Sequence, residues 1–136
     1  YMTTPEDRND PLTEKYPLQL LTPHPKNRVH SELYKVEWLR EVELHQVWMN
    51  PIDAESRGIK NGDEVHVYND RGRVAIPVWV TERIIPGVVS IFEGAWYDPD
   101  EKGIDRGGCA NTLTNDSYSG GGAALMNTSL VQVEKA

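Results

Sequence analysis

Two neighbouring stretches of this chain alternate apolar and polar residues on either side of a tight turn. Glu64–Asn69 places Val65 and Val67 on one face and His66 and Tyr68 on the other. Arg73–Val80 repeats the pattern, with Val74, Ile76, Val78 and Val80 facing inward. Asp70-Arg71-Gly72 between them is turn chemistry, so the pair predicts a hairpin with one buried face. Pro77 falls on the open face; it has no N–H to offer a neighbour and suits a sheet edge or bulge. Other short apolar runs follow the same reading. They are Tyr16–Thr22, stopped by Pro23 and Pro25, then Gln46–Met49, Val88–Phe92 after the Ile85-Pro86-Gly87 turn, and Ser129–Glu134. Short strands, glycine-rich turns and no βαβ alternation predict a closed β-barrel and exclude a dinucleotide-binding α/β sheet or a (β/α)8 barrel.

Helices are few. Asn50-Pro51-Ile52-Asp53 reads as a helix start, with Asn50 as N-cap and Pro51 at the first position. Arg57-Gly58 reads as its end, giving a short helix over 51–57. Leu33, Val36, Trp38, Leu39 and Val42 fit a short irregular helix within 33–44. Residues 1–15 are polar and read as a flexible leader or linker, leaving 16–136 as one domain. Residues 93–128 form a long Gly/Asn/Asp/Ser-rich loop, a length that in a compact domain implies a function or mobility.

Charge and cysteine content exclude several classes. The 136 residues carry 14 Lys+Arg against 21 Asp+Glu, a net −7, so non-specific nucleic-acid binding is not expected. The single cysteine, Cys109, allows neither an internal disulfide nor a multi-cysteine zinc site. No apolar run approaches the roughly 20 residues of a membrane span, so a soluble domain without direct membrane insertion is expected. No phosphate-loop, zinc-protease or nucleophile-elbow signature occurs. No self-contained catalytic signature is thus found.

One segment concentrates polar chemistry. Thr22-Pro23-His24-Pro25-Lys26-Asn27-Arg28-Val29-His30-Ser31 gathers donors suited to phosphate oxygens and heterocycle edges, stiffened by two prolines. A solvated loop would read the same way. His24 and His30 stand six apart, and the sequence shows no further ligand that would make them a metal site. Asn50 and Asp53 are explained by helix capping alone. Trp96 and Tyr97 suit either a stacking platform or a buried plug. Asn111 and Thr114 suit a turn. Nothing adjacent to Cys109 in sequence lowers its pKa.

In order, the chain carries T-x-H-x-x-x-R-x-H-S from Thr22, then W-x-N-P-x-D-A-x-x-x-G-I-x-x-G-D-x-V-x-V-x-N-x-R-G from Trp48. I-x-P-G-V-V follows from Ile84, E-G-A-W-Y-D-P-D from Glu93 and N-x-L-T from Asn111. This ordered set, across about residues 16–135, resembles the C-terminal dinucleotide-binding domain of the dimethyl sulfoxide reductase family of molybdenum oxidoreductases. The resemblance implies a mainly β fold, a double-psi β-barrel with short helices and long loops. It implies that the domain helps hold bis(molybdopterin guanine dinucleotide) with its molybdenum, shared with other domains of a larger catalytic subunit. The metal ligand is expected in one of those domains. By family position, Thr22, His24, Arg28, His30 and Ser31 would meet pterin and phosphate oxygens. Asn50 and Asp53 would meet a guanine edge, and Gly94, Trp96, Asn111 and Thr114 the remaining pterin side. One clasp of this kind requires 22–31 and 50–53 on the same side of the barrel.

The parent reaction implied is two-electron reduction of a sulfoxide or N-oxide. Electrons would come from iron–sulfur clusters, with an iron–sulfur subunit and a membrane anchor subunit as partners in an exported or membrane-associated respiratory complex. Other members of the family act on different substrates. Two further double-psi barrels are alternatives. A pyruvoyl decarboxylase resembling aspartate decarboxylase needs a Gly-Ser cleavage site, and Gly108-Cys109 is the nearest substitute here. An adaptor-binding module resembling the N-domain of certain AAA ATPases needs no nucleotide-type ligand.

Overall fold

A computed structural model describes residues 4–136 of the chain; the first three residues of the sequence-defined leader lie outside it. Six strands form the fold: β1 (Leu18–Leu21), β2 (Val47–Met49), β3 (Glu64–Tyr68), β4 (Arg73–Val80), β5 (Val88–Ile91) and β6 (Leu130–Lys135). They close into a barrel in the order β1-β5-β2-β4-β3-β6. The pairs β1–β5 and β2–β4 are parallel and the remaining four antiparallel. This is the mainly β, double-psi barrel expected, with two short helices, α1 (Glu37–Val42) and α2 (Pro51–Glu55).

The core is what the alternation requires. Leu18, Leu20, Val47, Met49, Val65, Val67, Val74, Ile76, Val78, Val89, Ile91, Val131 and Val133 all point into the barrel and are buried. Each such side chain contributes roughly 1.5–3 kcal/mol on leaving water. Val80, at the end of β4, is only half-buried. Pro77 is exposed, whereas Ala75, on the same outer face, is covered by residue 105, whose carbonyl accepts the Ala75 N–H at 2.9 Å.

Strand register decides which loops share a rim. Leu21 lies beside Ser90 in the parallel β1–β5 pair, so the chain leaves both strands at one end, here the upper rim. Val47 lies opposite Ile91, so β2 starts at that rim; β4, parallel to β2, starts there too. Gln19 lies opposite Leu130, so β6 also begins there. At the lower rim, Met49 lies opposite Val89, and the chain passes into α2. Asn50 caps α2 as expected, its Oδ1 accepting the Ile52 N–H at 3.0 Å. Its Nδ2 donates to the Ile84 carbonyl at 2.7 Å.

Three expectations need correction. The helix placed at 51–57 ends at Glu55, and the chain turns through Gly58, at φ +64°, with the Ile59 N–H donating back to the Ala54 carbonyl. The helix within 33–44 spans only Glu37–Val42; Leu33 at φ +64° breaks the backbone before it, and Val36 supplies no side-chain cap. The leader is not loose over its described part. Glu6 is 7% exposed, and its carboxylate receives Nη1 and Nη2 of Arg71 at 2.7 and 2.8 Å, the buried Leu130 N–H at 2.8 Å and Asn115 Nδ2 at 3.1 Å. A polar stretch gives no sign that one of its acids is buried, because its partners lie 65 and 124 residues away.

The long 93–128 segment is also organised. A 3-10 turn spans Ala110–Thr112. Asp105, 0% exposed, accepts the N–H groups of Asp98 and Gly107 on Oδ1, both at 2.9 Å, and that of Cys109 on Oδ2 at 2.7 Å. Thr112 Oγ1 donates to the same Oδ2 at 3.2 Å. The Asp105 N–H donates to the Arg73 carbonyl, which ties the segment to β4.

Candidate functional site

The upper rim collects most of the sequence-predicted site residues, because the loops after β1 and β5 leave it side by side. His24 Nδ1 lies 2.6 Å from Glu93 Oε1, and His30 Nδ1 lies 2.9 Å from the same oxygen. The two rings stand edge to face with centroids 4.9 Å apart. Glu93 is mostly buried while the imidazoles are 68% and 67% exposed, so each ring turns Nδ1 to the carboxylate and Nε2 outward. The Glu93 N–H donates to the Pro23 carbonyl at 3.1 Å, joining the two loops through the backbone as well.

Ser31 and Trp96 belong to the same cluster. Trp96 Nε1 donates to the Ser31 carbonyl at 3.0 Å, and Lys35 Nζ sits 4.3 Å from the Trp96 ring centroid. Trp96 and Tyr97 are exposed, so they form an open aromatic surface rather than a plug. Gly94 sits at φ +83°, and a Cβ there would stand 1.9 Å from the His30 carbonyl oxygen. His30 itself adopts φ +50°. We expect Gly94→Ala to drive the 22–31 loop off its seat, a loss of roughly 2–3 kcal/mol from strain and overlap together. Thermal unfolding reads it, and a variant with unchanged midpoint would refute the tight approach.

Arg28 lies beneath this cluster. Its side chain is 5% exposed, with Nε 3.9 Å from Glu43 Oε2 and the guanidinium 5.0 Å from the Tyr34 ring centroid. Nη1 has no hydrogen-bond partner. Burial lowers its pKa, and the Glu43 carboxylate opposes that shift. His45 is the second such residue: its Nε2 bonds the Gly108 carbonyl at 2.9 Å, while Nδ1 is buried without a partner. Burial pulls the His45 pKa down, favouring the neutral ring, so the partnerless Nδ1 is an acceptor. A cavity of about 680 Å³ bordered by Tyr34, Arg40, His45 and Arg106 opens beside them. Its lining carries both signs of charge, Glu37, Glu41 and Glu64 beside Arg40 and Arg106, and Arg106 is already paired with Glu64 and Asp100; Arg28 and Lys35 are the cations at the Trp96 side that fit an anionic group bearing flat heterocycles.

The remaining candidates lie elsewhere or are already engaged. Thr22 is buried, its hydroxyl donating to the Met126 carbonyl at 3.0 Å and its N–H to Asn127 Oδ1 at 2.7 Å. Asn111 is exposed on the 3-10 turn, and the Thr114 N–H donates to the Ala110 carbonyl. Both flank Leu113, whose carbonyl accepts from Asn69 and Arg71 of the β3–β4 hairpin. No hydrogen bond joins Asn111 or Thr114 to the imidazole cluster among the described residues. Burial raises the Cys109 thiol, which makes it a poor nucleophile.

Asn50 and Asp53 are not brought to the others. Asp53 Oδ2 accepts the Gly87 N–H at 2.7 Å, which fastens α2 to the turn entering β5 at the lower rim. Gly87 and Glu93 lie beyond opposite ends of the four-residue β5, itself about 13 Å long at ~3.3 Å per residue. The single clasp expected from 22–31 and 50–53 is therefore corrected: the two groups occupy opposite rims. Alternation along a strand says which face a residue takes, but neighbouring rims follow from β2–β5 pairing, which is non-local. Glu93 is the residue that sequence reasoning missed. Its signal was its place in the same E-G-A-W-Y-D-P-D run as Gly94 and Trp96.

Residues 18–126 match the family described as Molydopterin dinucleotide binding domain. Dimethyl sulfoxide reductase DmsA of Escherichia coli K12 is 50% identical over 131 residues, covering 96% of this chain and 16% of that protein. Trimethylamine-N-oxide reductase of Haemophilus influenzae is 43% identical over 141 residues, covering 96% and 17%. Among solved structures, acetylene hydratase from Pelobacter acetylenicus superposes with a TM-score of 0.79 at 19% identity, over 100% of this chain and 21% of its own, a likeness of fold. The chain spans about one sixth of the length of the curated relatives it matches.

Proposed function

The chain belongs to the molydopterin dinucleotide binding domain family, and from that membership we propose that it holds bis(molybdopterin guanine dinucleotide) within a larger sulfoxide or N-oxide reductase. The single observation that carries the placement is the upper-rim cluster, where His24, His30, Ser31 and Trp96 converge above a buried Arg28 with Nη1 unpartnered. When bound, that group would supply two-electron redox chemistry, giving two electrons for removal of the substrate oxygen. The work of the chain is to bind and orient. Glu93 lies against Nδ1 of both imidazoles, and an Nε2 that also carries a proton would donate to pterin or phosphate oxygens. Arg28 supplies a desolvated cation. The flat faces of Trp96 and Tyr97 suit heterocycle stacking. Asn111 and Thr114 would close the hairpin side, and Thr22 acts by holding the 117–128 segment.

The rest of the subunit supplies the metal ligand and the reacting centre, and electrons come from iron–sulfur clusters in the parent complex. Identity to a dimethyl sulfoxide reductase favours a sulfoxide, and identity to a trimethylamine-N-oxide reductase favours an N-oxide. A need for covering domains is supported by Val29, Leu33, Trp38, Val42 and Leu44, all more than half exposed along one segment. No helix among the described residues is long and apolar enough to cross a membrane; an anchor subunit is the proposed membrane partner of the parent complex.

The test uses the full-length catalytic subunit. His24→Ala/His30→Ala should cut retained molybdenum and guanine nucleotide by roughly tenfold or more, as loss of supporting polar partners does at other cofactor sites. Asp53→Ala should lower stability through Gly87 and leave both contents intact. Unchanged molybdenum in the histidine variant would defeat the proposal, and loss of guanine in Asp53→Ala would return the lower rim to the cofactor.

A further inference from the structure

The convergence of His24, His30 and Glu93 has a meaning apart from cofactor holding. We propose that these three residues form a divalent transition-metal site in the chain when it carries no pterin cofactor. Each residue offers one ligand atom, and the three atoms lie within 4.8 Å of one another. Two imidazole nitrogens and one carboxylate oxygen are a ligand set that takes zinc, cobalt or iron and leaves positions open.

Three features distinguish this cluster from a solvated ion pair. Both rings bring the same atom, Nδ1, near one oxygen, Glu93 Oε1, at 2.6 and 2.9 Å, and the His30 contact is a hydrogen bond. In a bare cluster the His30 nitrogen must carry a proton to bond that oxygen. A metal ion takes the place of that proton, which moves to Nε2 of the ring or, from an imidazolium, leaves to solvent, while His24 offers its Nδ1 lone pair. Bond lengths of ~2.0–2.2 Å put neighbouring tetrahedral ligands about 3.3 Å apart, so the N–O separations open by a few tenths of an ångström and the widest gap narrows. The exposed rings can make that adjustment by rotation alone.

The backbone is also set for the purpose. His30 is held at φ +50°, an unfavourable region for a residue with a side chain. The close approach of Gly94 to the His30 carbonyl locks that turn against the residue following Glu93. Pro23 and Pro25 flank His24 and limit its backbone. The ligands are thus pre-placed on two rigid loop stems, which reduces the ordering cost of capture. Glu93 is mostly buried and its backbone N–H is bonded to Pro23, so the carboxylate is the fixed member. The open positions face solvent on the side of both rings, where water or an external oxygen donor completes the shell.

The test titrates Zn2+ and Co2+ into the 136-residue chain, followed by calorimetry and by visible cobalt absorption. One ion per chain is expected, with cobalt bands of nitrogen–oxygen coordination. Glu93→Gln and His24→Ala should each weaken binding more than about tenfold, while His66→Ala on β3 leaves it unchanged. Far-UV circular dichroism and the thermal midpoint confirm that the variants keep the fold. No saturable binding by the parent chain would overturn the proposal. So would binding that persists in Glu93→Gln, or that disappears in His66→Ala, since either would put the ion elsewhere. None of these readings involves molybdenum or guanine retention, so the cofactor-holding role stands or fails separately.

Discussion

Asp105→Ala is expected to cost about 4–6 kcal/mol, because it strands the N–H groups of Asp98, Gly107 and Cys109 and the Thr112 hydroxyl in the interior, each at roughly 1–3 kcal/mol before partial rehydration. That is a large share of the ~5–15 kcal/mol typical of a whole domain. The side chain is short and wholly enclosed, and among the described residues its partners are backbone N–H groups and one hydroxyl rather than a cation. Asp105→Asn keeps the shape and one acceptor oxygen and should lose about half as much, since charged acceptors bond about twice as strongly as neutral ones. Urea unfolding of the three proteins gives the ranking. An alanine variant within about 1 kcal/mol of the parent would mean that the donors find water or other partners.

Glu6→Ala should follow at about 3 kcal/mol, near the lower bound for breaking a buried ion pair because Arg71 keeps partial access to solvent. Arg71 still donates to the Leu113 carbonyl, but the buried Leu130 N–H at the start of β6 loses its partner. The pH dependence has a definite sign. Burial alone would raise the Glu6 carboxyl; hydrogen bonds from Arg71, Leu130 and Asn115, with the Arg71 charge, outweigh it and hold the pKa below the ordinary 4.5. The stabilisation is therefore complete above that ordinary value and drains away as pH falls through the lower folded-state pKa. The stability gap between the parent and Glu6→Gln should be flat from neutrality to about pH 5 and shrink in more acidic buffer. A gap that widened with acid would contradict the assignment. The described part of the polar leader is thus a strap fastened across the β3–β4 hairpin.

Much of the barrel is legible in the sequence because its strands carry local signals. Val65 and Val67, then Val74, Ile76 and Val78, alternate cleanly, and Asn50-Pro51 announces α2 through chemistry confined to a few residues. The chain order of motifs likewise indicates the family. What cannot be read is whatever depends on partners far along the chain. Glu6 and Asp105 look like ordinary surface acids until Arg71, Leu130 and the 98–112 amides are placed around them. The separation of Asp53 from His30 follows from β2 lying antiparallel to β5, and nothing within either strand encodes its neighbour. Glu93 sits in a recognised run yet has no apparent role until two histidines from another loop arrive at its carboxylate.

The way Asp105 grips its amides also sets how this molecule can move. A carboxylate holding Asp98, Gly107, Cys109 and Thr112 while its own backbone is stitched to Arg73 and Ala75 makes residues 98–112 travel with the barrel wall as one rigid body. No flap is available there to swing aside. Of the basin beside Tyr34 and His45, the wall formed by Arg106 and Gly107 is thereby fixed to the barrel, while α1 and the residues after it form the wall that Asp105 does not hold.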